Sequence, residues 1–534
     1  MNTPTPADLV VRAGRVHTLD SGAPPVTALA VQDGEIRAVA GPGEETEFLA
    51  AWTGPRTVVV DEPDAVVLPA FVDTHNHLTL AARNVLGVPV SRATDIPSFL
   101  ELIRQRAAET PPGQWIVTAA DWHELRLAEG RLPTAAELDR ATSEHPVLAL
   151  RGGHNGVLNS TGLRLAGIGP DVPGGFIARD AEGRPEGWLR DAALERALAA
   201  LPALPTEALV EGIATASAIY AAHGLGTVRD AAVTPAEWQA CRAAQATGKL
   251  RVRNHVMILS TPAAIDAAGG MDAYLDSLVA QGIKPGEGEG LLRLWGLKFI
   301  ADGGVEAAAL SEPYRDRPGY HGELLWPRAK LTDALSVAVR RGWPVGIHAF
   351  GDRAVGQLLD VIRALGPVPR GMLVVEHGGL IGGRIADAAE LGVHITAQQA
   401  LLDGLSPALL AAWGPDRPAD LFPWRELVDA GAWLSAGTDH PIGPLDPLRG
   451  VHGMTTRRTP SGVLGAKHAI DRADALRLYT VAGAGLLGVP GTLTVGAPAD
   501  LVCYPADPFT CPTEDLLTLT PRHTVVAGKL VHGT

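Results

Sequence analysis

Two histidines separated by one residue are the first feature of this sequence with a spacing suited to metal chemistry. His75 and His77 lie in LPAFVDTHNHL, directly after an apolar run. Side chains at positions i and i+2 of a β-strand point to the same face, so both imidazoles can reach one cation. Imidazole nitrogen is a common ligand of Zn2+ and similar ions. Taken alone, the pair is weak evidence, because two such histidines after a buried strand are more often incidental.

Four further polar residues also follow apolar runs and precede a glycine or a loop signal. They are Lys298 in LWGLKFIADGG, His348 after PVGI, His377 after MLVVE and Asp439 after WLSAGT. One polar residue at a strand end is usually only a loop residue. Five such strand ends meeting in one barrel are much harder to explain that way, because barrel active sites lie at the carboxyl ends of the strands.

The middle of the chain alternates apolar strands with helical segments, which would position these residues. The strand candidates are residues 66–72, 226–229, 252–259, 292–300, 344–349, 372–376, 393–397 and 433–436. This order predicts an α/β fold, a (β/α)8 TIM barrel. The stretch between the first two strands is far longer than a βαβ crossover needs, which predicts an insertion subdomain at 84–204.

The first 65 residues consist of short β-branched runs broken by Asp-Gly and Gly-Pro turns, and the last 45 residues contain alternating runs that turn at glycine. We therefore predict a small β-sandwich-like domain formed by both termini, from residues 1–65 and 486–534. The hydrolase barrel would occupy residues 66–485 between them.

The bulk composition limits the partners and the compartment. The chain has 534 residues, 46% of them hydrophobic, and a net charge of −14, which argues against nucleic acid as a partner. Its 3 cysteines lack metal-knuckle spacing and are typical of a reduced, cytoplasmic protein. We see neither a signal peptide nor an apolar run of about 18 residues, so no membrane is expected.

The order HxH, Lys, His, His, Asp resembles the amidohydrolase superfamily, and within it the amidohydrolase 3, or YtcJ-like, family. Other stretches that carry the resemblance span nearly the whole chain. They are RGGHNGVLNSTGL (151–163), PGGFIARDAEGRPEGWL (173–189), LKFIADG (297–303), HAFGDRAV (348–355), EHGGLI (376–381), SAGTDHP (435–441) and VGAPADLVCYPADPF (495–509).

The resemblance implies a role for each residue of the set. His75 and His77 would hold one metal ion, and His348 and His377 would hold a second. Asp439 would bind the first ion and act as general base and acid toward a metal-bound hydroxide, which attacks the substrate carbonyl. Two zinc ions are expected, although Mn, Fe, Co or Ni suit the same ligands.

Lys298 would bridge the two ions as a carboxylated lysine. A protonated amine has no lone pair with which to bind a cation, whereas a carbamate has two oxygens and a negative charge. The apolar neighbours Trp295, Leu297 and Phe299 would favour the neutral amine that reacts with CO2. The alternative is a salt bridge from Lys298 to Asp302 beside a one-metal site.

The implied activity is hydrolysis of an amide-type C–N bond in an N-acyl or N-formyl small molecule. Alternatives within hydrolysis are a cyclic amide or amidine, a carbamate, an ester or a lactone. Outside hydrolysis, the alternatives are a metal-dependent lyase or isomerase and an inactive metal-binding barrel. Substrate choice lies in loops, and a homodimer is left open.

Departures from the family pattern bear on the substrate. The family's DGSLGSRTA is here DGGVEAAAL, its Gln-Pro is Gln398-Gln399, and its GSD is GTD. Five residues are candidates for substrate contacts, each with a structural alternative such as a turn, an internal salt bridge or a core position. They are Trp122, Arg151, His154, Asn159 and His440.

Overall fold

The computed structural model describes residues 5–153, 155–172 and 175–533. The chain divides into two compact units, one of Met1–Leu78 with Ser217–Thr534 and the other of Thr79–Ala216. Within the described residues, no helix combines the length and the hydropathy needed to cross a bilayer.

Eight parallel strands form a nearly closed barrel in the first unit, which confirms the predicted fold class. Their hydrogen-bonded order follows the chain. They are Phe71–Asn76, Leu225–Val233, Arg253–Leu259, Leu292–Ile300, Val345–Ala349, Leu373–His377, His394–Ala397 and Trp433–Ala436. Across the seam between the eighth and first strands, Thr74 Oγ1 donates to Ala436 O at 2.9 Å.

Helices follow the strands, as a (β/α)8 barrel requires. They are Pro235–Ala246, Pro262–Ala267, Met271–Ala280, Arg328–Arg340, Asp352–Leu365, Ile385–Leu391, Gln399–Trp413, Trp424–Asp429, Pro447–Thr456, Arg472–Leu478 and Val481–Leu487. The helix Asp352–Leu365 shows why these segments are helical. Its buried residues, among them Val355, Leu359 and Ile362, recur every three to four positions and form one apolar face.

Both termini contribute to one seven-stranded sheet beside the barrel. Its strands are Leu9–Val16, Val26–Gln32, Glu35–Ala40, Val58–Pro69, Leu501–Tyr504, His523–Val526 and Lys529–His532, and the helix Glu45–Trp52 follows the third of them. The two ends of the chain meet where Val502 pairs with Leu68 in antiparallel register. The finer domain boundaries drawn from the sequence stay a prediction.

The first barrel strand lies further along the chain than the predicted segment 66–72. Val58–Pro69 belongs to the terminal sheet, and the barrel strand is Phe71–Asn76. At the change of sheet, Ala70 N donates to Asp500 O at 3.0 Å and Phe71 N donates to Gly224 O at 2.9 Å. One uninterrupted apolar run therefore serves two sheets, and the run alone does not show where the chain crosses.

The second unit contains most of the large insertion after the first barrel strand. Its five-stranded sheet consists of Ile116–Val117, Val147–Arg151, Asn155–Leu158, Gly175–Arg179 and Pro185–Asp191. Its helices are Ile96–Glu109, Ala135–Ala141, Ser160–Leu165 and Ala192–Ala199. Leu78–Leu86 and Thr206–Ala222 are the helices at which the chain passes between the units.

A buried histidine on the third barrel strand makes the fold sensitive to acid. Burial, together with the positive charges of Arg253, Arg229 and Arg293, lowers the pKa of His255 to about 4. The folded state therefore keeps the neutral imidazole, while the unfolded chain takes up a proton below about pH 6.5. We expect this residue to contribute stability above that pH and to lose it, by roughly 1.4 kcal/mol per unit, as the pH falls toward 4.

Urea unfolding at pH 7, 6 and 5 would measure this contribution. His255→Gln should flatten the decline in the free energy of unfolding between pH 6.5 and pH 5, relative to the unsubstituted protein. His532→Gln, on the edge strand Lys529–His532, serves as the control. An equally steep decline in the His255→Gln protein would show that this imidazole is not responsible.

Candidate functional site

The six residues predicted as metal ligands all lie at the carboxyl ends of barrel strands. His75 is in the first strand, Lys298 in the fourth, His348 in the fifth and His377 in the sixth. His77 and Asp439 lie one and three residues past the first and eighth strands.

The structure brings three of these residues closest together. One ligand atom from each of His75, His377 and Asp439 lies within 4.8 Å of the others. The four imidazoles form a row, with ring centroids 5.4 Å apart for His77 and His75, 4.5 Å for His75 and His377, and 4.5 Å for His377 and His348. Such a row beside a carboxylate is a plausible donor set for a transition metal.

The hydrogen bonds of the HxH pair show which ring nitrogens remain available. His75 Nδ1 contacts a carboxylate oxygen of Glu376, and His77 Nδ1 is 2.9 Å from Ala231 O. Both partners are acceptors, so each Nδ1 carries the proton and donates it. The Nε2 atoms of His75 and His77 then lie 3.2 and 2.9 Å from Asp439 Oδ1.

Two nitrogen lone pairs facing one carboxylate oxygen require a cation between them. That cation is either a proton or a metal ion. Burial raises the pKa of Asp439, but its contacts with His75 and His77 outweigh burial and hold the pKa well below its usual value. Burial lowers the pKa of His77, and Asp439 more than reverses this, so the pKa is raised. The residues therefore fit a metal ion, which would replace these protons.

The second pair of histidines is fixed in a comparable way. His377 Nδ1 is 2.6 Å from Gln398 Oε1, and His348 Nε2 is 3.3 Å from Gly303 O. The contact with Gln398 leaves Nε2 of His377 as its ligand atom. His377 also has a left-handed backbone, with φ 70°, which is strained for a residue with a side chain.

The loop that carries Asp439 is bound tightly to the end of the first strand. Asp439 N donates to His75 O at 2.9 Å, although its φ of 56° is left-handed. Buried Asp73 accepts from Thr438 Oγ1 at 2.5 Å and from His75 N at 3.1 Å. A side chain on Gly437 would come within 2.7 Å of His75 N, which explains the glycine in GTD.

Lys298 is buried without a hydrogen-bond partner for Nζ among the described residues. The alternative salt bridge to Asp302 is therefore not formed. Asp302 instead accepts from the backbone N atoms of Ala309, Phe350 and Gly351 at 2.8 to 2.9 Å. Burial lowers the pKa of Lys298 to about 8, against the opposing charges of Glu376 and Asp439.

The sequence analysis missed Glu376, which lies inside an apolar strand directly before His377. Its carboxylate contacts His75 Nδ1 and accepts from Arg229 Nη2 at 2.5 Å, and both groups are fully buried. Burial raises the pKa of Glu376, but Arg229 and His75 lower it to about 2. A side chain on Gly346 would overlap this carboxylate. A charged residue within MLVVEH is the signal that could have revealed it.

Replacing Glu376 with glutamine should weaken metal binding. The amide can accept the His75 Nδ1 proton but no longer carries the charge that makes His75 a better ligand, so we expect zinc affinity to fall about 10–100-fold. The free energy of unfolding should also fall, by about 3 kcal/mol, because Arg229 loses its buried counter-charge. Zinc retention during dialysis against graded chelator and urea unfolding would measure the two effects.

Glu426→Gln is the matched control for this change. Glu426 also accepts from the ring of a buried histidine, His468, at 2.7 Å, but it is not bonded to any of the six predicted ligands in the described contacts. Zinc affinity should stay unchanged in this variant. Normal zinc affinity in Glu376→Gln as well would remove Glu376 from the site.

The residues proposed for substrate contact in the insertion make contacts within that unit. Trp122 is buried against Phe99 and donates from Nε1 to Leu150 O at 2.7 Å. Arg151 donates to Glu124 Oε1 at 2.9 Å, and Asn159 Oδ1 accepts from Gly162 N at 2.9 Å at the start of a helix. Their contacts with substrate stay predictions.

His154 and His440 are the remaining two candidates for substrate contact. His154 lies outside the described residues. His440 directly follows Asp439, its O accepts from His77 N at 3.0 Å, and its Nδ1 is 3.2 Å from Gly443 O. Its ring is T-shaped to Tyr220, with centroids 5.6 Å apart. His440 is therefore anchored beside the predicted metal ligands, and its contact with substrate stays a prediction.

The sequence matches one family model and several known proteins over most of its length. The model of the Amidohydrolase family matches residues 58–532. YtcJ of Bacillus subtilis (strain 168), provisionally named an amidohydrolase, is 27% identical over 97% of this chain and 98% of its own. N-substituted formamide deformylase of Arthrobacter pascens is 29% identical over 98% of each chain.

A solved structure has the same fold. It is an uncharacterised metal-dependent hydrolase from Pyrococcus horikoshii OT3, with a TM-score of 0.76 and 23% identity. The match covers 95% of this chain and 99% of that one. The likeness extends over the terminal sheet and the insertion as well as the barrel.

Proposed function

Because this chain belongs to the amidohydrolase family and is a metal-dependent hydrolase of C–N bonds, we propose that it removes an acyl or formyl group from a small N-substituted amide. The observation that carries the proposal is the group formed by His75, His377 and Asp439, whose ligand atoms lie within 4.8 Å of one another. The deformylase from Arthrobacter pascens, matched over nearly the full length, supports the substrate class.

The residues that would hold the metal are the four histidines, Asp439 and Lys298 in its carboxylated form. Zinc is the proposed ion, since imidazole nitrogen and carboxylate oxygen suit it. Bound there, zinc would supply Lewis acidity, which polarises a carbonyl and lowers the pKa of water to roughly 7.

Asp439 performs the proton transfers in this proposal. It is ionised at neutral pH, because contact with the two imidazoles holds its pKa low. It accepts a proton from the attacking water as the new C–O bond forms. It returns that proton to the leaving nitrogen as the C–N bond breaks, so the products are a carboxylic acid and an amine.

Glu376 and Gln398 hold the imidazoles that surround this carboxylate. Glu376 contacts His75, and Gln398 lies 2.6 Å from His377. Neither touches substrate in this proposal. They keep the ligand nitrogens aimed at one region, so that a substrate carbonyl meets groups that are already in place.

The deciding experiment combines metal analysis with a substrate panel of formamides, N-acyl amino acids, carbamates and lactones. We expect the purified protein to contain a transition metal and to release amine from the first two classes. Dialysis against a chelator should abolish this activity, and added zinc should restore it. Full turnover by metal-free protein would overturn the mechanism, and turnover of lactones alone would overturn the substrate class.

A further inference from the structure

Gln398 lies directly after the seventh barrel strand and joins a metal-ligand histidine to the barrel interior. Its side chain is fully buried. Its Oε1 is 2.6 Å from His377 Nδ1, and its Nε2 donates to Thr396 O at 2.9 Å and to Thr396 Oγ1 at 3.1 Å.

These contacts settle the orientation of the amide and the tautomer of the histidine. A peptide carbonyl only accepts hydrogen bonds, so the amide group that faces Thr396 O is the NH2. The oxygen of Gln398 therefore faces His377, and an oxygen acceptor there requires the proton on Nδ1. His377 is left with its lone pair on Nε2.

The neighbouring hydroxyl groups agree with this assignment. Thr74 Oγ1 donates to Ala436 O at 2.9 Å, so the hydroxyls of Thr396 and Ser435, 2.8 and 2.7 Å away, must donate to Thr74. The oxygen of Thr396 is then free to accept from Gln398. Ser435 Oγ accepts in turn from His394 Nε2 at 2.7 Å. Each of these buried hydrogen bonds can therefore be assigned one donor and one acceptor without conflict.

We propose that Gln398 is a positioning residue, which fixes the Nδ1–H tautomer of His377 and so presents Nε2 to the metal ion. The proposal rests on the proposed function, because it assumes that a metal binds there. The network also crosses the seam between the first and eighth strands, so the orientation of His377 is tied to the closure of the barrel.

Gln398 excludes the alternative tautomer of His377, in which Nε2 carries the proton. With an apolar side chain at this position, His377 could carry its proton on Nε2 and would have to lose that proton or rotate before binding a metal. The neighbouring Gln399 provides the contrast. Its Oε1 accepts from Trp424 Nε1 at 2.9 Å and from Arg457 Nη1 at 3.0 Å.

The test compares three variants by their zinc dissociation constants, measured against a chromophoric chelator, and by the visible spectra of their cobalt forms. Gln398→Met should lower zinc affinity about 10–100-fold and alter the cobalt spectrum. Gln398→Glu keeps an oxygen acceptor toward Nδ1 and, when its second oxygen carries a proton that it can donate to Thr396 O, should restore part of the affinity. Gln399→Met loses a buried amide at the next position and should retain both the affinity and the spectrum.

Wild-type zinc affinity in Gln398→Met would overturn the positioning role. If Gln398→Met does not fold, NMR of nitrogen-labelled histidine in the zinc-loaded wild type decides instead, since a proton on Nε2 of His377 contradicts the proposal. Failure of the proposed function has a different signature, because the wild type would then bind no zinc or cobalt at all.

Discussion

Asp439→Asn is expected to lower kcat by about 10²–10⁴ while leaving the fold intact. An amide has nearly the shape of the carboxylate, but it cannot take the proton of the attacking water. It also has no charge to face the Nε2 atoms of His75 and His77, which lie 3.2 and 2.9 Å from Asp439 Oδ1. Steady-state kinetics of protein reloaded with metal would measure the loss separately from weakened metal binding.

The same substitution seven residues later provides a matched control. Asp446 is the N-cap of the helix Pro447–Thr456 and accepts from Leu448 N at 2.9 Å. Asparagine caps helices about as well as aspartate does, so Asp446→Asn should keep near-normal kcat and stability. Near-normal turnover in metal-replete Asp439→Asn would exclude Asp439 as the proton carrier.

The sequence alone predicts the barrel and the identities of the proposed ligands for one physical reason. In a parallel barrel every strand ends at the same mouth, so a polar residue at the end of an apolar run is placed without knowledge of the packing. His348 is the last residue but one of the strand Val345–Ala349, and His377 is the last residue of Leu373–His377. Both strands end within one residue of the predicted boundaries. The placement of these residues at one mouth follows from strand order, whereas their roles are what the family resemblance implies.

What the sequence could not predict depends on contacts between strands. The partner of His75 is Glu376, 301 positions away, and the tautomer of His377 depends on Gln398. A residue's neighbours along the chain give no information about such pairs. The available nitrogen of each ring, and hence the direction of each ligand, required the structure.

Two of the three apolar neighbours expected around Lys298 lie on the other face of its strand. Leu297 and Phe299 alternate with Lys298 along the strand Leu292–Ile300, so they face the opposite side. Phe299 stacks on Trp326 outside the barrel strands, with ring centroids 4.7 Å apart. The lysine is buried, as expected, and burial is the main cause of its lowered pKa; the charge of Arg229 adds to this shift, and those of Glu376 and Asp439 oppose it.

Burial favours the neutral amine of Lys298, which is the form that carboxylation requires. With a pKa lowered to about 8, a larger fraction of the side chain is unprotonated at neutral pH than for an ordinary lysine near 10.4. In the proposed carboxylation, the neutral amine would attack CO2 and release one proton, which would leave a carbamate with two oxygens. A single amine nitrogen cannot span two ions ~3.5–4 Å apart, whereas a carbamate can.

Lys298→Ala should therefore lose both metal and activity, and short-chain carboxylates should restore part of each. Alanine leaves a space where the amine and its carboxyl group would lie, and formate, acetate or propionate can supply the missing oxygens. Metal per chain and turnover, each measured against carboxylate concentration, would test this.

Lys330→Ala is the control, because it removes a half-exposed lysine paired with Asp266 and should respond to none of these additions. A Lys298→Ala protein that keeps two metal ions and its full rate would end the carbamate hypothesis, and recovery of neither metal nor rate by any carboxylate would count against it.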